Sequence, residues 1–191
     1  MNIQIPDTLN ISADTPHIEA GPNAPVYLRL NPKIVRFNFR TDSAHLTRFS
    51  EEFGITIPDT LHSWNRLGMK GALCLGPDEW HLQTDPDEKE EIINRFATLG
   101  KTVPHSLSDI SDRQISIEIG GPKAIELLSI GCPRDLSTFS EGKGTRTLFD
   151  TVEVTLFRQT DTTFHLEVWR SFFPHVWALL NTGIKEIAFG L

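Results

Sequence analysis

Trp80-His81-Leu82-Gln83-Thr84, followed by a helical pattern, is echoed by Phe164-His165-Leu166-Glu167-Val168, again followed by a helical pattern, at an offset of 84 residues. Working outward, Arg36 to Arg40, the amphipathic run Asp42 to Phe53, Gly54 and Ile57-Pro58-Asp59 match Ile115 to Ile119, Pro122 to Ile130, Gly131 and Cys132-Pro133-Arg134-Asp135 at offsets between 75 and 80, with 77 at the glycine and 76 at the closing aspartate. The change in offset places an insertion of about seven residues between Asp135 and Phe164. Self-similarity at one period means a supersecondary unit used twice. Duplication describes a scaffold, so chemistry is to be sought in residues that break the likeness.

Local signals fill in each copy. Val35, Phe37 and Phe39 alternate with Arg36, Asn38 and Arg40 as a half-buried strand does. Asp42 or Ser43 caps a helix bearing Leu46, Phe49 and Phe53, and Gly54 suits a left-handed stop. Gly71 to Leu75 and Trp80 to Thr84 flank Gly76-Pro77-Asp78-Glu79, a run of turn formers, which predicts a hairpin. Asp85 as N-cap, Pro86 at the first helical position and Gly100 beyond the end bracket a helix with the stripe Ile92, Ile93, Phe96 and Leu99. In the second copy Ile115, Ile117 and Ile119 alternate, and Gly120-Gly121-Pro122 turns the chain into a helix ending at Gly131. After a loop around Ser137 to Gly144, Val152-Val154-Leu156 and Phe164-Leu166-Val168 form another hairpin. Ser171 is then the expected cap of a helix closed by Gly183, and Ile184 to Phe189 the expected last strand. The order is β-α-β-β-α-β, twice, which puts two helices on one face of each antiparallel sheet. The expected fold class is α+β with duplicated β-α-β-β-α-β units: an irregular N-terminal arm over residues 1–25, a first repeat over 26–110 and a second over 111–191, in one compact body.

Composition narrows the function classes. Lys plus Arg number 18 against 25 Asp plus Glu, a formal charge of −7, the wrong sign for neutralising phosphates. Cys74 and Cys132 lie far apart among apolar or proline neighbours and read as buried thiols without a redox or zinc spacing. The N-terminus lacks the basic and apolar regions of a signal peptide, and no run approaches the ~18 apolar residues of a membrane helix. A soluble cytoplasmic protein is the expectation.

Candidate chemistry is sparse. Gly120-Gly121-Pro122 invites a phosphate-loop reading, yet its spacing fails Gly-x-Gly-x-x-Gly and Pro122 removes a donor; a tight strand-to-helix turn explains it. Gly142-Lys143-Gly144-Thr145 lacks the upstream glycine of a nucleotide-binding loop and carries Gly144 where a magnesium-binding hydroxyl is needed. None of the seven histidines forms a His-Glu-x-x-His pair. His81 and His165 occupy equivalent repeat positions, as a feature of the fold does. No Gly-x-Ser-x-Gly elbow occurs. Arg113, Arg134, Arg146 and Arg170 stand in apolar or turn contexts, where a guanidinium is expected to pair with a carboxylate such as Asp112, Asp135 or Glu167, or to contact an anion or a partner subunit. Trp169 alternates with Val168 and is expected to face outward. Arg113, Arg146, Trp169 and Arg170 are thus the candidate partner-interface or structural residues, with no catalytic, cofactor-binding or metal residue assigned.

Leu75-Gly76-Pro77-Asp78-Glu79-Trp80, Asp109-Ile110-Ser111-Asp112-Arg113, Ile119-Gly120-Gly121-Pro122, Gly131-Cys132-Pro133-Arg134-Asp135-Leu136, Arg146-Thr147 and Arg170-Ser171-Phe172, in that order, resemble the gamma subunit of heterotetrameric sarcosine oxidase. The likeness runs from about Val26 to Gly183; Arg134 stands where that family usually has an aliphatic residue. It implies a noncatalytic subunit of a flavoenzyme that demethylates sarcosine oxidatively to glycine, forms hydrogen peroxide and passes the one-carbon unit to tetrahydrofolate. It further implies that flavins, NAD and the tetrahydrofolate site belong to the larger subunits and zinc to the smallest, with no cofactor in this chain. The family's fold is similar to the folate-binding region of the glycine cleavage aminomethyltransferase. Two other readings stay open: a stand-alone folate-binding or aminomethyltransferase-like protein, and a subunit of a related secondary-amine oxidase.

Overall fold

The computed structural model describes residues 17–19 and 25–190. The irregular arm expected over residues 1–25 otherwise lies outside the described residues. In chain order the elements are β1 (His17–Glu19), β2 (Tyr27–Leu30), β3 (Val35–Thr41), α1 (Leu46–Phe53), β4 (Trp64–Leu67), β5 (Lys70–Gly76), β6 (Glu79–Thr84), α2 (Lys89–Leu99), β7 (His105–Asp109), β8 (Gln114–Gly120), α3 (Ala124–Ser129), β9 (Lys143–Phe149), β10 (Val152–Thr160), β11 (Thr163–Trp169) and α4 (Phe173–Phe189). They form an α+β protein of two antiparallel sheets. Lys33–Ser111 with Gly142–Thr145 make a first unit, and the described residues before Lys33 with Asp112–Glu141 and those from Arg146 onward make a second.

In the first unit the sheet order is β4-β5-β6-β3-β7. Register sets Phe37 opposite Leu82 and Phe39 opposite Trp80, so the inward parity of both strands is aromatic or aliphatic. The helices lay Leu46, Phe49, Phe53, Ile92 and Phe96 on this face. Phe39, Phe49 and Phe96 meet with ring centroids 4.8–5.3 Å apart, in the edge-on and tilted geometries that aromatic quadrupoles favour. The helix boundaries follow their local chemistry. Asp42 and Asp85 each accept a backbone N–H from two residues on, opening short 3₁₀ turns that lead into α1 and α2, and Gly54 closes α1 at φ 87°.

The second sheet runs β1-β2-β8-β11-β10-β9. Its apolar face, including Ile115, Ile117, Ile119, Phe164, Leu166 and Val168, packs with Leu127 and Leu128 of α3 and Val176, Trp177 and Leu180 of α4. Residue for residue, β8 occupies the place of β3, the β10–β11 hairpin that of β5–β6, and β9 that of β4. The place beside β8 equivalent to β7 is taken by β2, with Tyr27 opposite Gly120 and Leu30 opposite Ile117. Residues 27–30, grouped with the first repeat on the sequence, therefore complete the sheet of the second.

That substitution corrects the expected last strand. Residues 184–189 are helical: α4 continues to Phe189 and stops at Gly190, φ 75°. Ile184 and Ile187 extend the buried stripe of Phe173, Val176, Trp177 and Leu180 at helical spacing, and that period outweighs a glycine read as a terminator. Gly183 serves packing instead, because a Cβ there would lie 2.6 Å from Leu127 Cδ1 and 2.7 Å from Ile130 Cδ1. Ser171 is not the cap either; Phe172 holds that position without a side-chain bond, and Pro174 supplies the helical φ in the first turn.

Candidate functional site

The Gly120-Gly121 pair is built around β2. A Cβ on Gly120 would collide with the Tyr27 ring, and one on Gly121, at φ +116°, would lie 2.5 Å from the Pro25 carbonyl oxygen. Gly121 N–H donates to Thr162 O and Lys123 N–H to Pro25 O, so the donors that an anion would need are spent inside the fold. Gly142, φ +67°, likewise starts a strand: Gly142 O accepts from Trp64 N–H, Gly144 N–H donates to His62 O, and Lys143 Nζ donates to Ser63 Oγ at 3.1 Å. Neither glycine motif forms a phosphate cradle.

Polar side chains of the second sheet form a partly buried network. Glu118 accepts from Tyr27 Oη at 2.9 Å and pairs with Arg29. Burial, then the neighbouring Glu118, raises the Tyr27 phenol above its ordinary value. Asn31 Nδ2 reaches Ser116 Oγ at 2.9 Å and His165 Nδ1 at 2.8 Å, and His165 Nε2 meets Gln159. His165 is thus held within a sheet-face network, while its counterpart His81 is buried opposite Asn38 and Leu73. Among the described residues no three His, Cys, Asp or Glu side chains gather into a metal-sized cluster. Both thiols are buried and free, and burial pushes Cys74 up.

The arginines redistribute the expectation. Arg113, Arg134, Arg146 and Arg170 are all exposed, whereas Arg36 and Arg158 are buried. Arg158 spans the loop before β9, donating to Leu136 O at 3.2 Å, Phe139 O at 2.5 Å and Asp161 O at 3.0 Å. Carbonyls, more than carboxylates, compensate it. Its inward parity with Val152, Val154 and Leu156 was the available sequence signal. Arg134 lies over the Phe139 ring at 5.1 Å, and Arg146 approaches Glu153 at 3.7 Å.

Arg113, Trp169 and Arg170 come together, and Arg146 lies apart from them on β9. The Arg113 guanidinium stands 5.1 Å from the Trp169 ring centroid. Arg170 N–H donates to Arg113 O at 2.8 Å and Arg170 Nε to Asp112 O at 3.1 Å, which fastens the end of β11 to the start of β8. Phe172 joins them, its ring 6.5 Å from that of Trp169. Trp169 is 40% exposed and Phe172 47%. Phe172 is the N-cap of α4 and lies outside the core, whereas Phe173, the first helical residue, is buried. The first unit has instead a cleft of about 830 Å³ lined by hydroxyls such as Ser43, Thr47, Ser50 and Ser63 with Glu51 and Asp59.

A family-level comparison matches residues 40–186 to the sarcosine oxidase, gamma subunit family. The chain belongs to that family. Heterotetrameric sarcosine oxidase from Corynebacterium sp. U-96, solved in complex with pyrrole 2-carboxylate, is similar in fold: TM-score 0.79 at 22% identity, covering 89% of this chain and 88% of that one. The glycine cleavage system aminomethyltransferase T of Bartonella henselae is similar at TM-score 0.60 and 8% identity, over 78% of this chain and 43% of that one. No curated protein matches the sequence. The duplicated α+β fold expected from the repeat is therefore one shared with both proteins. Among the described residues no helix is long and apolar enough to cross a membrane.

Proposed function

We propose that this gamma-family chain serves a heterotetrameric sarcosine oxidase as a noncatalytic structural subunit, in an assembly that demethylates sarcosine to glycine and passes the one-carbon unit to tetrahydrofolate. Family membership over residues 40–186 carries the reading. Two features support the structural role: the glycine motifs are consumed by packing, and the exposed Arg113, Trp169, Arg170 and Phe172 cluster has the composition of a protein contact. Flavins, NAD, tetrahydrofolate and zinc then reside in the partner subunits, the larger ones bearing the flavin and folate sites.

Co-expression with those subunits tests this. The chain is expected to co-purify with them, and sarcosine turnover and flavin absorbance to appear only in the assembly. Turnover by the isolated chain would overturn the noncatalytic reading, and an assembly that oxidises another secondary amine but not sarcosine would shift the substrate. A stand-alone folate-binding protein is supported by the fold shared with the aminomethyltransferase alone; micromolar binding of tetrahydrofolate to the isolated chain in calorimetry would favour it.

A further inference from the structure

We infer that the Arg113, Trp169, Arg170 and Phe172 surface is the docking face for an acidic segment of a larger subunit, an inference resting on the reading of this chain as part of an assembly. Three observations on one surface carry it. Two large aromatic side chains, 40% and 47% exposed, lie side by side where strand β11 passes into α4. Both arginines beside them lack a carboxylate within ion-pair distance among the described residues, although the chain holds 25 acidic against 18 basic residues. Arg29, Arg40, Arg95 and Arg158 each have such a partner.

The surface is also preorganised. Cross-strand register sets Trp169 opposite Gln114, the Arg170 and Phe172 amides are bonded to Arg113 O and Trp169 O, and Arg113 stacks on Trp169. Ordering these groups before association lowers the entropy lost on binding. Trp and Arg are the residue types that dominate interface energetics when water is excluded around them. Two guanidinium groups without a carboxylate partner among the described residues, beside apolar rings, are complementary to a segment carrying carboxylates next to aliphatic or aromatic side chains. The charge of −7 opposes a nucleic-acid occupant.

The test replaces Phe172 by p-benzoylphenylalanine in the co-expressed complex, irradiates it, and maps the cross-linked peptide by mass spectrometry. The expected product joins residue 172 to a larger-subunit peptide with an excess of Asp and Glu. In parallel, the Arg113→Met/Arg170→Met double variant is expected to weaken association with the larger subunits at least tenfold in quantitative pull-down. The Arg113→Lys/Arg170→Lys variant is expected to recover part of that loss, and the isolated variants to melt within about 3 °C of the parent. A cross-link to a second copy of this chain, to a peptide without carboxylates or to no partner within an intact complex overturns the docking face and leaves the subunit reading standing. So does unchanged association by the correctly folded Met variant. If the parent chain co-purifies with no larger subunit, both readings fall. If the Met variant does not fold, the cross-link decides.

Discussion

The two sheets share one plan and complete it differently. In the first unit the strand that flanks β3 is β7, reached directly after α2. In the second unit the chain after β11 stays helical through α4, and the equivalent place beside β8 is filled by β2, from the other end of the sequence. The duplicated architecture therefore fixes a five-strand core order, while the segment supplying the fifth strand is interchangeable. The swap leaves local marks: Gly120 makes room for the Tyr27 ring and Gly121 for the Pro25 carbonyl, where β3 has Arg40 and Thr41.

Removing residues 1–32 is the severest way to break this contrast. Val26, Leu28 and Leu30 are buried in the second unit's core, and at about 1.5–3 kcal/mol for each side chain their loss removes about 5–9 kcal/mol, most of a typical domain's stability. Hydrogen exchange should show Ile115 to Ile119 losing protection while Phe37 to Arg40 keep theirs; protected β8 amides in the truncated protein would mean that β2 is dispensable. Next comes Gly121→Ala, which needs φ +116° and a Cβ 2.5 Å from a backbone oxygen; destabilisation of about 2–3 kcal/mol is expected. Gly68→Ala in the first unit, at φ +60° with open space around it, should cost only about 1 kcal/mol. Urea unfolding of the two variants makes the comparison, and equal effects would refute the close approach at Gly121.

Tyr27→Phe removes one hydrogen bond from β2 to Glu118 while Arg29 still neutralises the carboxylate. It should lower stability by about 0.5–1.5 kcal/mol. The smallest effect is on β7. Burial works to raise Asp109, but Lys89 and Ser111 outweigh it and hold its carboxyl below the ordinary 3.8. A depressed folded-state value means that its stabilisation is present above the unfolded value and disappears as pH falls through the folded one. Asp109→Asn should therefore cost roughly 0.5–1 kcal/mol at pH 7, discounted for solvent screening, and progressively less as acidification protonates the carboxylate. Thermal melts at descending pH check it, and a pH-independent difference would assign the effect to Ser111 geometry alone.

Much of this plan is legible in the sequence because its periods are local. Hairpins β5–β6 and β10–β11, the Asp85-Pro86 helix start and the Gly54 stop declare themselves within ten residues of chain. The remainder is nonlocal or weakly patterned. Strand β4 is four residues on a sheet edge, and β9 begins in Gly142-Lys143-Gly144, a composition that reads as loop. Gly183 resembles a terminator in the local sequence because the side chains that need its missing Cβ, Leu127 and Ile130, lie over fifty residues upstream. The exposed arginines were readable as distinctive residues and Trp169 as outward-facing; their convergence with Phe172 depends on β8 and β11 being neighbours, which only folding provides.

The displaced strand also sets a timetable for synthesis. Tyr27–Leu30 leaves the ribosome well before Gln114, the first residue of its neighbour β8, so at roughly 5–20 residues per second it waits on the order of ten seconds for a pairing partner. During that interval Lys33–Ser111 already contains every strand of its own sheet. One half of the protein can thus mature vectorially, while the other remains open until β2 and the later-made strands of its sheet are all out of the exit tunnel.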